Sequence, residues 1–177
     1  KKLKSKFDYI KNNQIDVVFT VHHNYKKWSN ILKVKFVKLP FAANKAIFKN
    51  YGEVKKYDLG FAGNLFNTPV YKNSNIMGPN FNNVRERIDR HIRSEDYRNI
   101  SIFWKTKYYA HGEAYSRLIN SSKVWLCTPS AIDIVGTRYY EVMGSCSLIF
   151  CKESDAYSGL FEEGEHYISF KDDLSNF

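Results

Sequence analysis

Short apolar runs and stretches of helical spacing alternate along the chain. A helical period begins almost at the first residue. DVVFT (Asp16–Thr20) follows as an apolar run, NYKKWSNILK (Asn24–Lys33) has helical spacing, and VKFVKLPF (Val34–Phe41) is extended and broken by Pro40. These elements predict the end of one α/β layer. After the polar stretch Lys49–Lys56, YDLGFAG (Tyr57–Gly63) opens a second series: a charged helix near Asn83–Asp96, a strand at Ile100–Trp104, a helix near Gly112–Ser121 and a strand at Val124–Thr128. A helix near Thr137–Gly144, a strand at Ser147–Cys151, a helix around Ser154–Phe161 and a strand at Tyr167–Phe170 complete it. Strands separated by helices of about 8 to 14 residues predict a parallel, doubly wound sheet.

The Asn-rich segment Phe66–Asn82 fits neither period and reads as a long surface loop. In an open parallel sheet, ligands bind outside the carboxyl ends of the strands, so the informative residues are expected just after FAG and LCT.

Composition narrows the class. A chain 44% hydrophobic and 16% aromatic is too apolar for disorder. No run of about 18 apolar residues is present to span a bilayer, and the basic N-terminal stretch lacks the apolar core of a signal peptide. Cys127, Cys146 and Cys151 are odd in number, have no Cys-x-x-Cys spacing and sit in or beside apolar runs. Buried thiols of a reducing compartment are expected, with no metal site and no disulfide framework. A cytoplasmic protein follows, with a peripheral position at a membrane as an option.

Charge is distributed unevenly. Residues 1–56 carry 14 Lys against Asp8, Asp16 and Glu53, a balance of +11; residues 57–177 carry 13 Lys and Arg against 15 acids, a balance of −2. The excess lacks the Arg clusters and interleaved aromatics of a nucleic-acid reader, so nucleic acid is not the expected partner. It reads either as a solvated Lys-rich face or as a field that draws in an anionic acceptor or membrane surface.

The chemistry concentrates after the strand Val124–Thr128. In PSAIDIVGTRYYEVMGSCSLIF, Asp133 and Glu141 stand eight apart with Gly136 between them and a helix starting near Thr137. The first amides of that helix, around Gly136, Thr137 and Arg138, would be unpaired where partial positive charge gathers, which suits a diphosphate. The Arg138 guanidinium suits phosphate oxygens, and Gly136 permits close approach. Glu141 is placed to accept ribose hydroxyls and Asp133 the hydroxyls of a sugar beyond the phosphates. The same spacing also describes an ordinary amphipathic helix with one capping Asp and one solvent Glu. Gly63 and Asn64, after the first strand of the second series, are candidate donors of backbone N–H groups. His22, followed by His23, lies at a strand end and is a candidate to touch acceptor or sugar.

This segment resembles the C-terminal domain of GT-B glycosyltransferases, in the paired-acid pattern that contains Glu-x-Phe-Gly. Asp133 falls on the first acid, Gly136 on the glycine and Glu141 on the second acid. YYEVMGSCSLIF and GLFEEGEHYISFKDDLSNF are similar to the continuation of that pattern, and KLPFAANKAIF with KKYDLGFAGN resembles the interdomain segment and first strand in the spore-maturation branch. The chain departs from the pattern in three places. Asp133 replaces the usual Glu, and Cys146 stands where a Gly is usual. No Arg and Lys pair follows FAGN, which leaves Lys72, Arg85 and Arg87 as the available cations.

The resemblance implies an α/β fold: a doubly wound parallel sheet, the Rossmann-like half of a GT-B fold, preceded by the end of a second α/β domain. Residues 1–48 are expected to be the remnant of an acceptor-binding domain. Residues 49–177 would be a nucleotide-sugar-binding domain truncated at its C-terminus. The implied activity is transfer of a sugar from a nucleoside diphosphate sugar to a glycan, lipid or protein acceptor, with no bound metal and no cofactor beyond that donor substrate. Alternatives are a non-catalytic nucleotide-sugar or anionic-ligand binding module, or an epimerase or phosphorylase of the same fold.

Overall fold

A computed structural model describes residues 2–65, 84–107, 110–129, 134–157 and 159–177, with side chains from Ser5 onward. The chain divides into two compact units, Lys1–Phe41 and Ala42–Phe177.

In the first unit, α1 (Lys2–Asn12), β1 (Val17–Thr20), α2 (Tyr25–Leu32) and β2 (Lys35–Lys38) follow in order, and β1 pairs with β2 in parallel, Val17 opposite Lys35. Phe7 of α1 packs on Trp28 of α2 with ring centroids 5.7 Å apart. Lys33 ends α2 in the left-handed region (φ 57°), and its amide donates to the Ser29 carbonyl. The Ser29 hydroxyl then donates to the Val34 carbonyl at 2.8 Å, which turns the chain into β2.

The second unit holds β3 (Tyr57–Ala62), α3 (Val84–Ser94), β4 (Ile102–Lys105), α4 (Gly112–Asn120), β5 (Ser122–Cys127), α5 (Thr137–Gly144), β6 (Leu148–Lys152) and β7 (Tyr167–Phe170). Among the described residues the sheet has the order β4-β3-β5-β6-β7, parallel at every pairing. Side chains alternate along the strands and so feed two cores. Trp125, Cys127, Ile149 and Cys151 face α4 and α5, where Tyr115, Ile119, Tyr139 and Val142 meet them. Phe61, Leu126 and Phe170 face the other way, toward Val84 and Ile88 of α3. Helices thus cover both faces, as strands apolar on both sides require.

Close approaches fix the layers. Gly60 on β3 makes room for the Trp125 ring, and a Cβ there would stand 2.6 Å from the Ser122 hydroxyl. Gly144 at the end of α5 admits the Phe48 carbonyl, which would lie 2.8 Å from an added Cβ. Residues 42–48 therefore pack with the second unit. Buried Asn120 donates to the Lys49 and Ser116 carbonyls and accepts from the Tyr51 amide, which ties the entry segment to α4. Ser116 and Ser145 share a buried hydroxyl hydrogen bond of 2.9 Å that joins α4 to α5.

Two expectations change. The helix around Ser154–Phe161 is a single 3₁₀ turn, Asp155–Tyr157: the Ser154 hydroxyl accepts the Ala156 amide, and Gly159 at φ 68° turns the chain away. Cys146 is exposed and not buried, because it occupies a turn between α5 and β6 in the left-handed region (φ 54°). The expected loop Phe66–Asn82 lies outside the described residues. No helix among the described residues is long and apolar enough to cross a membrane.

Candidate functional site

The strand order carries a topological switch. From β3 the chain moves to β4 on one side and then returns to β5 on the other, so the loops after β3 and β5 diverge and leave a crevice above the carboxyl ends of these strands. A cavity of about 430 Å³ lies there. Its lining is drawn from the ends of β3 and β5 and from the starts of α3, α4 and α5. The polar contributors are Asn64, Arg85, His111, Tyr115, Thr128, Thr137 and Arg138. None of its described lining residues is acidic.

Helix α5 begins at the cavity. Gly136 is its N-cap with extended backbone (φ −81°, ψ 177°) and, as glycine, supplies no side-chain cap. Among the described residues, a Cβ on Gly136 would meet no atom within 4 Å. Thr137 and Arg138, the next two residues, also line the cavity. Helix α4 likewise starts at its rim, capped by His111 with no side-chain hydrogen bond.

Two guanidinium groups enter this space. Arg85, from the first turn of α3, donates through Nε to the Thr128 hydroxyl at 2.6 Å and through Nη1 to the Asn64 carbonyl at 2.7 Å. Arg138 lies over the Tyr115 ring, 4.1 Å from guanidinium carbon to centroid, and its Nε is 3.3 Å from Glu141 Oε2. Burial holds Arg85 below the usual guanidinium range, with Tyr139 and Cys127 opposing the shift. Burial also lowers Arg138; the Glu141 carboxylate offsets part of that and the like charge of Arg85 adds to it. Arginine nonetheless stays charged at any ordinary pH. Two mutually repelling, partly desolvated cations at a helix start whose N-cap is glycine form a site shaped for an anion.

Two buried polar atoms there have no protein partner among the described residues: Nη1 of Arg138 and the hydroxyl of Tyr115. Tyr115 is 5% exposed. Such a buried group left unsatisfied costs about 1–3 kcal/mol, a cost that a ligand acceptor would remove.

Comparison with known proteins adds the fold. The crystal structure of the GtfA/B complex contains a chain that matches at a TM-score of 0.54 and 9% sequence identity. The likeness is one of fold alone. The match covers 93% of the present chain but only 36% of that chain. No protein-family model matches the sequence, and no curated protein matches it.

The candidates read from the sequence fall into four groups. Gly63, Asn64, Gly136, Thr137 and Arg138 come together around one cavity. Gly63 contributes differently from expectation: its amide donates to the Lys105 carbonyl at 3.0 Å, so it is spent on the sheet, and an added Cβ would stand 3.3 Å from the Phe61 ring. Glu141 is one turn deeper, paired with Arg138, and is not part of the lining. Asp133 lies outside the described residues. His22 belongs to the first unit, where its amide donates to the Thr20 hydroxyl; burial, then His23 and Lys6, hold its imidazole below the usual range.

Of the cations that were available after FAGN, Arg85 reaches the cavity, whereas Arg87 is engaged with Asp172 on the surface and Lys72 lies outside the described residues. Tyr115, His111 and Thr128 were not legible as site residues. Tyr115 sits at a core position of an amphipathic helix, and only the meeting of α4 with α5 reveals its cavity edge. Burial pushes the Cys127 thiol well up and that of Cys151 to about 12, as expected of core thiols. Among the described residues no cluster of three metal-ligating side chains occurs.

Proposed function

We propose that the second unit is the nucleotide-sugar-binding part of a glycosyltransferase, transferring a sugar from a nucleoside diphosphate sugar to an acceptor hydroxyl. The observation that carries this reading is the cavity at the switch point, where Arg85, Arg138 and the start of α5 converge and none of the described lining residues is acidic. The donor diphosphate would lie against the amides of Thr137 and Arg138 and between the two guanidinium groups. Glu141 would hold the ribose after exchanging its partner Arg138 for ligand hydroxyls, and Asp133 would meet the sugar. As the bond to the sugar breaks, negative charge grows on the leaving diphosphate, and donors already in place stabilise it without reorganising. The likeness in fold to a chain of the GtfA/B complex supports the same reading.

In this proposal the first unit, residues 1–41, is the end of an acceptor-binding domain, His22 is a candidate to touch the acceptor, and the acceptor is a glycan, lipid or protein. The Lys-rich first third favours an acceptor or membrane surface that is anionic. The test is a thermal-shift screen with UDP, GDP, ADP, CDP and dTDP, followed by product analysis with the sugar conjugates of whichever nucleotides bind. Stabilisation by at least one nucleoside diphosphate, with release of that diphosphate from its sugar conjugate, supports the transferase. Conversion of the sugar without release favours an epimerase of the same fold. Binding without turnover favours a non-catalytic module.

A further inference from the structure

We propose that Tyr115 is a phosphate-binding residue of this site, its hydroxyl donating to the same diphosphate that Arg138 and the start of α5 hold, with Arg85 as a further cation in the lining. The inference rests on the donor-site reading above and extends it to residues with no counterpart in the paired-acid pattern.

Tyr115 is buried, yet its hydroxyl has no protein partner among the described residues, and its side chain lines the cavity. Its ring is held edge-on by Trp125, with centroids 5.8 Å apart at 87°. The ring face carries the Arg138 guanidinium, whose Nη1 is the other unsatisfied buried donor of the site. One ring therefore does two things: its face orients Arg138 and its edge presents a hydroxyl. A phenol donates one hydrogen bond and a guanidinium nitrogen two, and phosphate oxygens are acceptors that match both. The two unsatisfied donors belong to stacked groups, so one polyoxygen anion can meet them together. Arg85 is fixed by Thr128 and Asn64 rather than by a carboxylate, so its charge is not neutralised by either partner.

The test uses isothermal titration with inorganic pyrophosphate, with UDP, GDP and ADP, and with uridine, guanosine and adenosine. In Tyr115→Phe, affinity for pyrophosphate and for the nucleoside diphosphate that binds should fall together by roughly tenfold or more, the effect of losing a hydrogen bond to a charged group. Binding of the bare nucleoside should not change. Without ligand the variant should melt at or above the temperature of the unsubstituted protein, because the hydroxyl removed had no internal partner. Arg85→Lys, which keeps the charge and loses the planar fork, should weaken pyrophosphate as well. A folded Tyr115→Phe protein that binds pyrophosphate and nucleoside diphosphate as tightly as before overturns this proposal and leaves the donor-site reading standing. An unsubstituted protein that binds neither overturns both.

Discussion

Arg138 and Glu141 form an ion pair across one turn of α5, with Nε 3.3 Å from Oε2, at the point where the helix opens into the cavity. The pair positions the guanidinium and sets a carboxylate beside it. If Glu141 accepts two ribose hydroxyls on donor binding, Glu141→Gln should weaken nucleoside diphosphate binding by about 1.5–3 kcal/mol. The fold should survive, because the Glu141 side chain keeps part of its surface in solvent and its ion-pair partner Arg138 lies on the same helix. Calorimetry on the folded variant checks this, and unchanged affinity would remove Glu141 from the donor site.

Arg138 itself combines a planar fork with a stacking surface, and lysine offers neither in the same form. Arg138→Lys should therefore lose about 1–2 kcal/mol of diphosphate affinity while keeping the net charge. Titration at low and high salt separates this from a general field effect, since a loss due to geometry persists when the field is screened.

Cys146 holds a backbone conformation that favours glycine (φ 54°), at the position where the paired-acid pattern usually has glycine. Its carbonyl accepts from Lys55 Nζ at 2.8 Å, and its amide donates to the Met143 carbonyl, so the turn is held from both sides. Cys146→Gly relieves the left-handed strain and gains unfolded-chain entropy, two effects of about 1 kcal/mol each that oppose one another. A net change within about 1 kcal/mol is expected by chemical denaturation. In contrast, Gly60→Ala should destabilise by more than about 2 kcal/mol, because a Cβ there collides with Trp125 and Ser122 in the core.

The alternation of short, largely apolar runs with stretches of helical spacing made the parallel sheet legible from Tyr57 to Phe170, even though Asp58, Lys123 and Ser169 fall within the strands. The start of α5 was legible too, because Gly136 precedes the helical spacing of Thr137–Gly144. The 3₁₀ turn at Asp155–Tyr157 was not, because Gly159 and the Ser154 side chain decide a conformation that apolar spacing cannot register. Site residues from other helices were equally hidden. Arg85 is a charged residue at the start of a charged helix, and Tyr115 has the spacing of a core aromatic. Only the strand order, which places β3 beside β5, brings α3, α4 and α5 to one crevice.

The first unit combines ten Lys among residues 1–41 with exposed apolar side chains, including Tyr9 at 63% and Phe19 at 64%. If this surface meets an anionic bilayer, the protein should sediment with vesicles containing phosphatidylserine and release as salt rises, with little binding to neutral vesicles. Phe19→Ser should reduce the salt-resistant fraction. Salt-sensitive binding to duplex DNA with none to vesicles would contradict this partner.

The most direct measurement of the central claim is the amide spectrum of isotope-labelled protein during titration with the nucleoside diphosphate that stabilises it best. A diphosphate seated at the start of α5 should produce its largest shifts at the amides of Thr137 and Arg138, with the Arg85 and Arg138 side-chain resonances moving in the same titration. Large shifts confined to other parts of the chain, or none at saturating nucleotide, would contradict the account.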